Sequence, residues 1–153
     1  MAIKKAVQSD LWTVRKIVAD TINAVYPHFY PKGAVDFFLK HHCEENISKD
    51  INEGLVYILT YDNTAVGTVT VCGNELARLF VDVRYQGKGY GKELLDFAEK
   101  LISEKYDSVV LSASLPAKRI YLKRGYREVD FNSILTDGGD HLCYDILKKS
   151  FPR

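Results

Sequence analysis

Cysteine, proline and net charge are all in short supply in this chain, and each shortage removes a class of protein from consideration. Cys43, Cys72 and Cys143 are odd in number and widely separated, a pattern that fits neither a disulfide framework nor paired metal ligands. They read as reduced thiols packed in the interior. Four prolines and ten glycines in 153 residues gather into no linker and no segment repeats, so one domain spanning residues 1–153 is expected. Lys plus Arg number 21 against 20 Asp plus Glu, a formal charge of +1, which supplies no electrostatic reason to bind nucleic acid or an anionic membrane. No apolar run approaches the roughly 18 residues of a membrane span. The segment Met1 to Val7 also lacks the apolar stretch of a signal peptide, so a cytoplasmic location is expected. His41-His42-Cys43 could suggest a metal, but adjacent helical residues diverge by about 100° and cannot share one ion, so no metal is expected.

What the chain does have is an ordinary globular balance, 46% hydrophobic and 27% charged residues, arranged in alternating helical and strand periods. Ile3 to Val7 reads as a short strand, with Ser9-Asp10 as the N-cap of a helix whose inner face is Leu11, Val14, Ile17, Val18, Thr21, Ile22 and Val25. Pro27 and Pro31 break the chain before a second helix from about Lys32. A third helix is expected over Glu45 to Asn52, ended by Gly54. Leu55 to Tyr61, Ala65 to Cys72 and Leu76 to Val83 read as an antiparallel meander, with the first turn at Asp62-Asn63-Thr64. A helix over Lys92 to Lys105 carries the chain to a strand at Ser108 to Ala113, and a shorter helix, Ala117 to Arg124, ends at Gly125. A final hairpin pairs Arg127 to Leu135 with His141 to Leu147 across Asp137-Gly138-Gly139. This order implies an α/β sandwich, a mixed and mostly antiparallel sheet with helices on both faces. The strands on either side of the crossover helix become parallel neighbours.

The chemistry concentrates at Gln86-Gly87-Lys88-Gly89-Tyr90-Gly91-Lys92, between the third meander strand and the helix that follows. Alternating glycines let the backbone turn sharply and bring its N–H groups to the start of that helix, where the open amides and partial positive charge favour an anion. Lys88 and Lys92 add whole charges, and a diphosphate fits. A P-loop is excluded because only three residues separate Gly87 from Gly91 and Glu93 stands where a magnesium-binding Ser or Thr is needed. The dinucleotide fingerprint also fails, since the spacing is G-x-G-x-G.

Read as Q-x-x-G-x-G, the loop resembles the acyl-CoA pyrophosphate loop of the GNAT N-acetyltransferase superfamily. A second segment, Ser114-Leu115-Pro116-Ala117-Lys118-Arg119-Ile120-Tyr121-Leu122-Lys123-Arg124-Gly125-Tyr126, is similar to that family's N-x-x-A-x-x-x-Y-x-x-x-G-F signature. Ser114 replaces its Asn, Tyr126 replaces its Phe, and Val83 stands where relatives often carry proline. The resemblance implies a GNAT-type three-layer sandwich in which the two parallel strands splay apart to admit the pantetheine arm of acetyl-CoA. It implies cofactor contacts from the loop residues Gln86 to Lys92, and from Ser114, Ala117 and Lys123 in the second signature.

Acetyl transfer to an amine needs a neutral amine, stabilisation of the oxygen that becomes negative, and a proton for the departing thiolate. The resemblance assigns the oxygen to backbone N–H groups of Leu79, Phe80 and Val81, and the proton to Tyr121. Glu75, at the start of the third meander strand, is the candidate base, with Asp82, His28 and Asp130 behind it. Acceptor contacts are expected from the loop between the first two helices, at His28, Phe29 and Tyr30, and from the last hairpin, at Phe131 and Tyr144. The implied partner is a small-molecule amine or a peptide, for a protein that is a monomer or homodimer. Two other readings are a GNAT-fold acyl-CoA sensor without turnover, acting as a protein-interaction module, and a nucleotide-binding module.

Overall fold

The computed structural model describes residues 1–152. Strand β1 (Ala2–Lys5) stops short of the expected Val7, because Val7 to Asp10 form a tight turn in which the Val7 N–H donates to Asp10 Oδ2 at 2.9 Å. Asp10 is therefore occupied with that turn and makes no side-chain cap for helix α1 (Leu11–Val25). Val14, Ile17, Val18, Thr21 and Ile22 recur at three- and four-residue spacing on α1, and all are buried, as an amphipathic helix on a sheet requires. Helices α2 (Lys32–His41) and α3 (Glu44–Asn52) follow on the same side, closing a core that includes Tyr26, Tyr30, Ile47, Ile58 and Phe80.

Strands β2 (Val56–Tyr61), β3 (Thr64–Cys72) and β4 (Glu75–Val81) form the expected meander. Asp62 and Asn63 both take positive φ, 51° and 60°, the geometry of a two-residue hairpin turn that matches strand twist. Helix α4 (Tyr90–Ser103), strand β5 (Ser108–Ala113) and helix α5 (Leu115–Lys123) come next, then the hairpin of β6 (Arg127–Leu135) and β7 (His141–Ser150). The seven strands run in the order β1-β2-β3-β4-β5-β7-β6, antiparallel throughout except β4 beside β5. A second core, with Leu59, Val69, Leu94, Leu111 and Leu147 among its members, packs under α4 on the opposite face from α1. The fold class expected from the sequence is the one observed.

Two details of β4 shape the site. Opposite β3 the register passes from Thr68 with Phe80 to Thr70 with Ala77, so Arg78 and Leu79 together face Val69 in a bulge. Arg78 sits there at φ +46°. On its other side β4 meets β5 at one register position, Glu75 with Val110, and beyond it the two strands part. The gap lies over the end of α4, which approaches the sheet closely because residue 67 is glycine. A Cβ there would stand 2.8 Å from Leu94 Cδ1 and 3.0 Å from the Phe80 carbonyl.

The cysteines depart from expectation. Cys72 and Cys143 are exposed and Cys43 half-buried, because Cys72 closes β3 at a turn and Cys143 follows the buried Leu142 on β7, so strand alternation turns it outward.

Candidate active site

The loop after β4 tightens before it reaches α4. Val83–Tyr85 make one 3₁₀ turn capped by Asp82, whose carboxylate accepts from the Arg84 backbone N–H at 2.9 Å, from Nε at 3.1 Å and from Nη2 at 2.9 Å. Those bonds to Arg84 hold the Asp82 carboxyl below its usual range. With its oxygens so engaged and no place in the cavity walls, Asp82 is a structural carboxylate rather than a base. Gln86 then donates its side-chain amide to the Val81 carbonyl at 3.0 Å, which ties the loop back to the strand end.

Gly87 and Gly89 take φ of +78° and +87°, a conformation that a side chain strongly disfavours. Gly89 is the N-cap residue of α4, so the helix begins at Tyr90, two residues earlier than expected. The first α4 bond returns from the Glu93 N–H to the Gly89 carbonyl at 3.1 Å. The amides of Tyr90, Gly91 and Lys92 therefore lie ahead of the helical ladder and face the loop, where the helix end favours negative charge.

A cavity of about 570 Å³ opens from this loop into the β4–β5 gap. Its walls include Leu79, Phe80 and Val81 of β4, the loop residues Gln86, Gly87 and Gly89, and Tyr90, Gly91 and Lys92 at the head of α4. Ser114, Ala117 and Lys123 close it from the α5 side. Lys88 is outside these walls, its ammonium 5.7 Å from the Tyr85 ring centroid, because the positive-φ glycines on both sides turn residue 88 outward.

The gap is lined by backbone as well. The Asp82 N–H donates to the Val66 carbonyl at 2.8 Å, which makes Asp82 and Val66 a hydrogen-bonded pair. Its neighbour, Val81 opposite Gly67, is then a non-bonded pair whose N–H and C=O point away from β3. The Val81 carbonyl meets Gln86 and, at 3.4 Å, the Thr21 hydroxyl. Its N–H faces the opening where β5 would otherwise lie.

A second cavity, about 310 Å³, lies on the α1–α2 face of the sheet and shares Tyr26, Leu79, Phe80, Ser114, Ala117 and Tyr121 with the first. The two chambers thus adjoin at the gap, and Tyr121 stands in the wall common to both. Its side chain is 6% exposed and packs edge-on against Tyr126 with centroids 5.5 Å apart. Burial, with a smaller contribution from Tyr26, pushes the Tyr121 phenol well above its ordinary range, so it stays protonated at any working pH. Among the described residues its hydroxyl has no protein partner, and no buried side-chain polar atom is unsatisfied, so the hydroxyl is reached from the cavity.

A network below holds α5 in place. The Tyr126 hydroxyl donates to Glu99 Oε2 at 2.9 Å, Arg124 Nε donates to the same oxygen at 2.7 Å, and Lys149 Nζ reaches Oε1 at 3.0 Å. Arg124 also donates to Asp96 at 2.5 Å, linking α5 to α4 through two carboxylates.

Of the expected acceptor residues, Tyr144 lines the second chamber, and Glu75 lies in its wall at the start of β4, exposed to solvent. Tyr30 plays a structural part instead. It is buried against Tyr26 and Phe38, and its hydroxyl accepts from the Leu115 N–H at 2.6 Å, capping α5 from a distant part of the chain. His28 and Phe29 are on the outer surface of that turn, and Phe131 is 59% exposed on the edge strand β6. None of the three lines either chamber. The aromatic wall is instead made by Phe37, Phe38 and Phe80. Asp130 points its carboxylate to the neighbouring Phe131 N–H at 2.8 Å on the same edge strand.

Sequence reading missed Arg78, His42 and Asp50. Arg78 Nε donates to His42 Nδ1 at 3.1 Å, and Nη1 donates to Asp50 Oδ2 at 2.8 Å and to Thr70 Oγ1 at 3.2 Å. Burial first, then Arg78 and His41, pushes the His42 imidazole down to about 3, so it is neutral. The one signal in the sequence was an arginine inside the otherwise apolar run Leu76 to Val81.

The sheet opens between two parallel strands, with an amide-rich helix start at one mouth and a second chamber of mixed aromatic and polar lining at the other. The family model described as an acetyltransferase (GNAT) domain matches residues 25–147. The chain belongs to the GNAT acetyltransferase family. Among solved structures, a GCN5-related N-acetyltransferase from Rhodopseudomonas palustris superposes with a TM-score of 0.89 at 22% identity, covering 98% of this chain and 95% of the other. The PaiA N-acetyltransferase of Thermoplasma acidophilum, in complex with coenzyme A, gives 0.77 at 22% identity with 98% of each chain covered. A tRNA uridine(34) acetyltransferase of Methanocaldococcus jannaschii is 33% identical over 73 residues, 44% of this chain and 14% of that protein. The chain thus matches only a small part of that curated relative's length.

Proposed function

We propose that this protein transfers the acetyl group of acetyl-CoA directly to the primary amine of a small molecule or peptide. The observation that carries this reading is the β4–β5 gap, through which the chamber at the glycine loop meets a second chamber at Tyr121. Diphosphate oxygens would take the open amides of Tyr90, Gly91 and Lys92, and the thioester arm would run along β4 into the gap. The CoA-bound structural relative has the same fold and supports that placement.

The chemistry then divides among few groups. The amine nitrogen attacks the thioester carbon, the new C–N bond forms, and the carbonyl oxygen becomes negative against the Val81 N–H. One donor of this kind contributes about 3 kcal/mol of transition-state stabilisation. As the C–S bond breaks, the sulfur takes the electron pair, and Tyr121 donates to it. With its phenol pushed up by burial, Tyr121 is protonated when the sulfur takes charge, and a proton from solvent restores it as CoA leaves. An alkylammonium has a pKa of about 10.4, so its neutral form costs about 4 to 5 kcal/mol at pH 7, while an α-ammonium near 8 costs only about 1 kcal/mol. Glu75, directly or through one water, accepts the proton that the amine loses.

No cysteine lines either chamber, which favours direct transfer over an acetyl-enzyme. Thiol release from acetyl-CoA measured against a panel of amines is the test. CoA release in step with one acetylated amine is the expected result. CoA binding without amine-dependent release across the panel would leave the sensor reading instead.

A further inference from the structure

The second chamber contains groups that acetyl transfer itself does not use. Arg78 occupies a strained backbone position, φ +46°, with its side chain 6% exposed, and its head is fixed by Asp50, Thr70 and His42. Such strain in a non-glycine residue collects at functional sites. Two of its three nitrogens are occupied. Nη2 has no partner among the described residues, yet no buried polar atom is unsatisfied, so it opens to the chamber that Arg78 lines. His42 accepts from Arg78 at Nδ1, which places its own proton on Nε2. It lines the same chamber and packs against Phe80 with centroids 5.7 Å apart.

The charges of the chamber select among ligands for these two donors. Arg78 is already neutralised by Asp50 at 2.8 Å, and His42 is uncharged. Glu75 is the one carboxylate in the walls, with His41, Tyr26, Tyr121 and Tyr144 as the other titratable groups. An acceptor carrying a carboxylate would bring a second anion to a guanidinium that has one, with Glu75 close by. A polyamine would bring several cations to a single carboxylate. What complements this wall is one cation together with an uncharged hydrogen-bond acceptor.

We infer that the acceptor is a primary amine bearing an uncharged carbonyl, as in an amino-acid amide, whose oxygen accepts from Arg78 Nη2 and His42 Nε2 while the amine faces Tyr121. The inference rests on the acetyl-transfer reading and narrows its substrate. The aromatic side of the chamber, Phe37, Phe38 and Phe80, suits an apolar body on the same molecule.

The experiment compares phenylalaninamide, phenylalanine, 2-phenylethylamine and spermidine with the full chain and saturating acetyl-CoA. Each kcat/KM is expressed per neutral amine, so differences in basicity cancel. Phenylalaninamide should exceed 2-phenylethylamine by about tenfold or more, the usual effect of a hydrogen bond to a charged donor, and it should exceed the other two as well. In His42→Asn and Arg78→Lys the ratio of amide to 2-phenylethylamine should fall toward one, with KM for the amide rising more than kcat falls. The ratio in the unaltered protein stands as a test even if a variant fails to fold. An amide within threefold of 2-phenylethylamine, or a preference for phenylalanine or spermidine, overturns this inference alone. CoA binding with no thiol release for any of the four overturns it together with the acetyl-transfer reading.

Discussion

Tyr121→Phe isolates one hydroxyl in a wall that both chambers share, and the structure sets what the change removes. The ring is buried and stays in contact with Tyr126, whose centroid is 5.5 Å away, so the core keeps its packing and no cavity forms. The hydroxyl bonds to no other described residue, so its loss orphans no protein donor or acceptor. Folding stability should move by less than about 0.5 kcal/mol, the range for changes that leave packing and hydrogen bonds intact. The thiolate, however, loses its donor, and general-acid assistance is typically worth about 10² in rate, or ~2.7 kcal/mol. The expected result is kcat lowered about a hundredfold, with an unchanged thermal shift on CoA binding, because the amides proposed to hold the diphosphate lie at the far end of the chamber. Stopped thiol assays give kcat, and thermal denaturation with and without CoA gives the binding side. Because the phenol is pushed far up, no limb of the wild-type pH profile near neutrality should belong to Tyr121, and its removal should leave the profile's shape unaltered. Equal kcat in the two proteins would refute the assignment and return Tyr121 to a packing role. Tyr121→Ala does not test the idea, since emptying the wall costs about 3 to 5 kcal/mol of stability through the cavity alone.

Gly89→Asp should abolish the thermal shift that CoA produces, because it forces a side chain into φ +87° and sets a carboxylate at the helix end that would receive phosphate; retained affinity would unseat the diphosphate site. Glu75→Gln should lower kcat/KM by about 10-fold or more at pH 7 with an alkylamine acceptor, with the deficit vanishing once the pH passes the acceptor's own pKa, about 10.4 for an alkylamine and about 8 for an α-amine. A deficit that persists there would assign Glu75 to positioning. For Glu99, desolvation alone would raise the carboxyl, but the bonds from Arg124, Lys149 and Tyr126 together outweigh it, and the net shift is below the ordinary 4.5. A carboxyl depressed in the folded state adds stability above about pH 4.5 that is lost as pH falls through its folded value. Glu99→Gln should therefore cost about 2 kcal/mol at pH 7, short of the full value for a buried pair because the group is partly solvated. That cost should shrink below pH 4 in urea titrations. An equal deficit at both pH values would mean that the charge is not what matters.

The loop and second signature were legible because their requirements are local. Glycines at 87, 89 and 91 before a helical period announce a turn and an amide-rich helix start wherever the chain goes next, and Tyr121 follows Ala117 by one helical turn. The pairings inside the meander and the last hairpin were recoverable for the same reason, since each hairpin joins neighbours, but nothing local says that β1 lies beside β2 or that β7 rather than β6 lies beside β5. The second chamber was not legible. Arg78 meets Asp50 across 28 residues and His42 across 36, and no periodicity in one segment reports what packs opposite it. The aromatics around Pro27 illustrate the limit. Tyr26 and Tyr30 turn inward and His28 and Phe29 outward, a division made by one 3₁₀ turn at Tyr26–His28 rather than by residue type. Cys143 is different: alternation from the buried Leu142 would have placed its thiol on the surface, so there the information was present in the pattern.

The bulge, the gap and Gly67 have one physical origin. A sheet that separates two neighbouring strands forfeits hydrogen bonds on both, and a buried backbone group without a partner is expensive. Most of that loss is made good by other parts of the chain. Gln86 and Thr21 reach the Val81 carbonyl, and Asn74 takes the Val110 N–H at 3.0 Å just before the strands part. The bulge turns Arg78 into a left-handed conformation, and glycine at 67 lets α4 rise beneath the opening so that its first amides reach the same space. The Val81 N–H is among the groups left over, a donor that points away from β3 into the gap. Local rules of sheet formation are broken here and at few other places in the molecule, and a fold tolerates such a concentration where something outside the chain completes it. A thioester carbonyl lying along β4 would supply the missing acceptor, and it would bind that donor more strongly as its oxygen gained charge.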